Sequence, residues 1–347
     1  MRAVVQRSKM YLFALVGGLA STVALAASDP LESLKTFSDF QSINLERLLD
    51  GEILTERGSL MDSPDGISAQ TCFVVPVTAK EAVRRLRTWD PSSHEALKVF
   101  AFHPMRAPCH ANDFQSLGPN FDQYGFRWLL DKTLATTAAK SELNLTHDEA
   151  RRLSDCAQSH SDPQTVGTCW ADLLQQRVTA FLDKGFAGVT PYEANGATVS
   201  STEQLRSILR ERTSVCREFA VLLRQSGVLD TPRSAKLTPL PYWGLYEANH
   251  RTMLNLGAIY VLPVEDHYQL MDAEYYVSGS YNGAITLCEI WPIRIGDRSA
   301  ALVWRGDFVS ARTLALVKGI DRIAYGAIMV QEIKKVIRCF QDDLRRK

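Results

Sequence analysis

The chain has 347 residues, 46% of them hydrophobic and 22% charged, which excludes a disordered or fibrous sequence. Its 39 basic residues balance 39 acidic ones. With no long run of one sign, the charge pattern gives no footing for nucleic acid or an anionic membrane surface.

The N-terminus reads as an export signal. Arg2, Arg7 and Lys9 form a basic segment, residues 11–24 an apolar one, and Ala24-Leu25-Ala26 a small-x-small site. Cleavage between Ala26 and Ala27 is expected, leaving a periplasmic or secreted chain with no stable transmembrane segment. Cysteines can pair in such a compartment, and with seven of them at least one stays outside any intramolecular set. Cys156 and Cys169 are the expected pair, because they flank a short connection between two helical patterns.

Residues 31–49 carry a helical pattern. Residues 53–60 and 67–77 read as strands around a turn-rich link, and Thr78-Ala79-Lys80-Glu81 fits a capping box that opens a helix. Pro91 stops that helix, and residues 97–103 read as a strand. Residues 113–230 form a mostly helical block. Its stripes include Phe126, Leu129 and Leu130, then Leu173, Leu174, Val178 and Phe181, with a second capping box at Thr146-His147-Asp148-Glu149. Residues 253–262, 267–277, 284–293 and 300–309 are rich in β-branched and aromatic side chains, as half-buried strands are, and Asn282-Gly283 marks a hairpin. From Gly319 the period becomes helical: Ile320, Ile323, Ala327, Val330, Ile333, Ile337, Phe340 and Leu344 recur on one face.

The expected fold is α+β: a curved antiparallel sheet packed on a long C-terminal helix, with a largely helical insert. Residues 1–26 are then the signal, 27–112 the N-terminal part of the α+β domain, 113–230 the insert, and 231–347 the remaining strands and the last helix.

This order resembles the helix-grip folds of the START and Bet v 1-like superfamily. The likeness is carried by residues 67–77, the helix after Thr78, and the strand-then-helix ending of 300–347. It implies a non-catalytic protein that clasps an apolar small molecule or lipid between the sheet and the C-terminal helix. Strand alternation supplies the candidate contacts. Trp304 and Phe308 share a face of one strand, Trp291 shares a face with Glu289 on another, and Tyr275 lies on the apolar face of a third. Trp304 is expected opposite the C-terminal helix, with Glu289 as a polar anchor. The alternative is plain core, with Glu289 in a structural ion pair.

A second resemblance lies in residues 214–228, which look like the nucleophile helix of transglutaminase-like thiol enzymes. It implies Cys216 as nucleophile, activated by His250 and by Asp266 or Asp272. Ser214 stands where that family usually has glycine. The helical pattern from Ser201 also runs on through Cys216, which favours a buried thiol. A third reading is a structural or assembly factor that uses the insert as a partner surface, marked by an exposed apolar stripe. His103, Cys109 and His110 crowd one proline-containing segment and read as a solvated loop rather than a metal site. The chain carries no nucleotide-binding, hydrolase or zinc-protease motif, so no cofactor is expected.

Overall fold

The computed structural model describes residues 29–346, apart from residues 60, 118–123, 138–139, 160–161, 195, 249 and 318. Ala26, Ala27 and the rest of the export signal lie outside the described residues. The N-terminal elements are α1 (Pro30–Phe37), α2 (Leu45–Leu49), β1 (Leu54–Arg57), β2 (Gly66–Val75), α3 (Ala79–Thr88) and β3 (Val99–Pro104). The helical block holds α4 (Tyr124–Leu134), α5 (His147–Ser159) and α6 (Pro163–Lys184), a small hairpin of β4 (Tyr192–Ala194) and β5 (Ala197–Val199), then α7 (Ser201–Arg210), α8 (Thr213–Glu218) and α9 (Ala220–Ser226). The C-terminal part comprises β6 (Leu240–Ala248), β7 (Arg251–Val264), β8 (His267–Val277), β9 (Gly283–Ile295), β10 (Arg298–Ser310), α10 (Arg312–Ala315) and α11 (Ile320–Arg345). The protein is α+β, 45% helical and 30% strand.

Eight strands form one antiparallel sheet in the order β1-β2-β10-β9-β8-β7-β6-β3. Strands β6 to β10 make an uninterrupted meander. The two N-terminal hairpin strands extend it beyond β10, and β3 closes the other edge on β6. Both faces are apolar where helices cover them. One face packs Leu302, Trp304, Leu287, Tyr275 and Leu256 against α1 and the helical block. The other packs Phe73, Val75, Ile290, Val303 and Leu270 against α3 and the C-terminal half of α11. Period-two alternation sends odd and even residues of each strand into these two cores.

This division corrects the expected placement of the aromatic face. Tyr275, Trp291, Trp304 and Phe308 point into the helical block and not toward α11. The apolar face was legible in the sequence, but alternation alone does not say which helices lie over which face.

Two of three local expectations also change. The pattern of residues 31–49 forms two helices, because the Asn44 side chain caps a new start by accepting from the Arg47 N–H at 3.1 Å. The hairpin marked by Asn282-Gly283 forms between β8 and β9, with Asn282 fully buried: it takes the Tyr192 hydroxyl at 2.8 Å and donates to Ser310 Oγ at 3.0 Å. The segment from Ser201 through Ser226 breaks into α7, α8 and α9. The capping box of α5 is complete, with the Thr146 N–H reaching Glu149 Oε2 at 2.8 Å and the Glu149 N–H reaching Thr146 Oγ1 at 3.1 Å. In α3 only half of the box forms, because Glu81 turns to Arg84 and Arg85.

Two devices stiffen the helical block. A disulfide joins Cys156 on α5 to Cys169 on α6. Two turns of α5 away from the disulfide, Glu149 forms a buried ion pair of 2.6 Å with Arg177 of α6, whose guanidinium sits 4.1 Å from the centre of the Tyr276 ring. On the other face, Ile337 is 2% exposed beneath the sheet. Ile337→Ala should cost about 2–5 kcal/mol, whereas Lys335→Ala on the exposed side should cost under about 0.5 kcal/mol. Urea denaturation of the two variants checks the difference.

Candidate functional site

Glu289 of β9 is the most deeply buried carboxylate among the residues singled out from the sequence, at 0% exposure. The register sets it beside Gln269 of β8 and Trp304 of β10. Its Oε1 lies 2.8 Å from His267 Nε2 and 3.4 Å from Gln269 Nε2. Gln269 also donates to the Glu218 carbonyl at 3.1 Å, tying the sheet to α8. On the far side of the imidazole, His267 Nδ1 lies 3.2 Å from Asp266. Glu289 thus belongs to a carboxylate–imidazole cluster that joins the sheet to the helical block.

Burial, and then the charge and hydrogen bond of Glu289, push the Glu218 carboxyl up to about 7. A carboxyl drawn out of water beside a second acid favours its protonated form, which is the direction of the Glu218 shift. His267 is also raised: burial alone lowers it, but its bonds to Glu289 and Asp266 outweigh that.

The consequence for stability has a definite sign. The native state keeps a proton on Glu218 that the unfolded chain, with an ordinary value of 4.5, has lost. This contribution is fully present below pH 4.5 and is lost as pH rises through about 7. Glu218→Gln should therefore flatten the fall in melting temperature between these limits, measured by circular dichroism across pH. An unchanged slope would remove Glu218 as its source.

The aromatic candidates around Glu289 fill space. Trp304 stands edge-on to Phe37 at 4.9 Å between ring centres, lies 5.6 Å from Phe219, and donates from Nε1 to Gln70 Oε1 at 3.1 Å. Tyr275 stacks on Phe181 at 3.9 Å. Trp291 and Phe308 are each 1% exposed.

The thiol constellation does not assemble. Cys216 Sγ donates to the Leu209 carbonyl at 2.9 Å, and burial pushes the thiol up to about 11, away from thiolate. His250 is 93% exposed at the turn between β6 and β7, whereas Asp266 sits at the turn between β7 and β8. The 14 residues of β7 separate those two turns, a span of about 45 Å at about 3.3 Å per residue. Asp272, the alternative acid, faces the opposite side of the sheet from the helical block. The helical block shows no continuous apolar stripe among its described residues. Its exposed large aliphatics, Leu134 at 42% and Val221 at 47%, sit on separate helices. His103 stacks on Trp243 at 4.4 Å, and Cys109 is buried.

A second polar group lies on the helix-side face, where strand alternation sets Arg305 and Asp307 opposite Trp304. Asp272 of β8, Thr286 of β9 and Asp307 of β10 stand side by side in register. Arg305 grips Asp307 with Nε at 2.8 Å and Nη2 at 2.6 Å, and Thr286 donates to the same carboxylate at 2.7 Å. The Tyr242 ring lies over Gly257, where a Cβ would stand 2.2 Å from it, and its hydroxyl donates to Asp272 at 2.9 Å. Tyr246 and Tyr281 converge on Glu274, the Tyr246 hydroxyl at 3.4 Å. Burial and then the charge of Glu274 push Asp272 up to about 7. α3 crosses β8, β9 and β10, and α11 runs along β1 and β2. Asp272, Glu274, Tyr246, Tyr281 and Arg305 are left half-buried.

This group was hidden because β6, which supplies Tyr242 and Tyr246, was not read as a strand. Pro241 and Gly244 disguise it. Its one available signal was the spacing of Tyr242, Gly244 and Tyr246 at alternate positions.

No family model, no curated protein and no solved structure matches the chain. Among the described residues, no helix is long and apolar enough to cross a membrane, and no group of histidine, cysteine and acidic side chains could hold a metal ion.

Proposed function

We propose that the chain is an exported, non-catalytic binding protein for an apolar small molecule or lipid, seated on the helix-side face of the sheet. The observation that carries this reading is the uneven cover of that face. α3 and α11 close its apolar end over Phe73, Ile290 and Val303, and the tyrosine- and carboxylate-bearing end stays only half-buried. Phe102, half-buried and 5.0 Å from the Tyr242 ring, gives that end an apolar flank. The helix-grip resemblance supports the same face, since there too a ligand lies on the side of the C-terminal helix. The Cys156–Cys169 disulfide supports an oxidising compartment and hence export. The protonated, hydrogen-bonded state of Cys216 speaks against thiol chemistry.

Titration of the native chain with Nile red tests the reading. Saturable binding with a blue-shifted emission is expected, weakened by Phe102→Ala. Emission that stays unshifted until the chain unfolds would overturn it.

A further inference from the structure

We propose that the ligand carries an organic ammonium group, held between Asp272 and Glu274 against the rings of Tyr246 and Tyr281. The proposal rests on the binding-protein reading above and names the head group that this surface recognises. Residues at i and i+2 of a strand share a face about 6.6 Å apart, so both carboxylates open on the same side of β8 and can act on one cationic head.

The local chemistry is one-sided. Asp272 accepts from the Tyr242 hydroxyl, and Glu274 from Tyr281, Asn255 and Tyr246. The base of this face, Arg305, is already held bidentately by Asp307. Asn255 is 4% exposed, and its Oδ1 meets no donor. That oxygen lies 2.6 Å from where a Cβ on Gly244 would stand, beside the carboxylates on the same face. Carboxylates and an undonated amide oxygen, with the Tyr246 and Tyr281 rings joined to Glu274 through their hydroxyls, together supply acceptors and π-electrons. Such a surface favours a cation with an apolar body, through charge, hydrogen bonds and cation–π attraction. A bound cation would also offset the charge of Glu274, which adds to burial in pushing Asp272 up.

Three amphiphiles with one tail and different heads provide the test: dodecyltrimethylammonium, dodecyl sulfate and dodecyl maltoside. Each is titrated calorimetrically into the full chain below its critical micelle concentration, at pH 8. The ammonium should bind at least about tenfold more tightly than the sulfate. Asp272→Asn with Glu274→Gln should abolish that preference while the maltoside affinity stays the same. Tetramethylammonium, which has no tail, should compete for the unaltered protein, and this measurement stands even where the double variant does not fold. Equal or tighter sulfate binding, or no competition by tetramethylammonium, would overturn the head-group assignment alone. Failure of all three amphiphiles to bind would overturn the binding-protein reading with it.

Discussion

Trp304→Ala is expected to lower the free energy of unfolding by about 3–5 kcal/mol. The side chain is 0% exposed, and its ring meets Phe37 of α1 and Phe219 beside α9. The substitution removes these contacts and leaves a cavity among them. It also strands Gln70 Oε1 without the indole N–H that reaches it at 3.1 Å. The cost is large because the Trp304 environment is closed on every side by the sheet and the helical block. Urea denaturation gives the number. A loss below about 1 kcal/mol would mean that the site tolerates an opening, as a ligand pocket does, and would return Trp304 to the list of ligand contacts.

Arg177→Met should cost a similar amount, about 3–5 kcal/mol, for a different reason. The side chains of Arg177 and Glu149 are only 4% and 8% exposed at their 2.6 Å contact. Removing the guanidinium leaves a carboxylate that water cannot reach well. It also removes the donor to the Thr190 carbonyl at 3.2 Å and the cation over Tyr276. Adding Glu149→Gln should restore part of the loss, because the buried charge left alone accounts for much of it. A double-mutant cycle isolates the coupling. If the double variant is as unstable as the sum of the single ones, the ion pair is not the source.

The layers were legible where one period runs unbroken. The long helix from Ile320 and the four strands of the C-terminal meander stand out because their apolar residues repeat without interruption. β6 was lost because Pro241 and Gly244 interrupt its propensity, although the strand lies inside the sheet between β7 and β3. Glu289 was conspicuous as a carboxylate on an apolar face. Its partners were not, since His267 precedes it by 22 residues and Glu218 arrives from another layer. The tyrosine and carboxylate group on the other face draws on β6, β7, β8, β9, β10 and the turn before β9. Only the pairing register brings those strands together. The separation of His250 from Asp266 was equally invisible, because loosely suitable sequence spacing says nothing of which end of a long strand each residue occupies.

The position of the ligand is best tested by hydrogen exchange of the native chain with and without saturating dodecyl maltoside, read by mass spectrometry. Protection should appear in residues 240–248 and 267–277, with α8 and α9 unchanged. Protection confined to residues 30–37 and 213–226, around Trp304, would contradict a binding surface on the helix-side face and place the ligand inside the aromatic core.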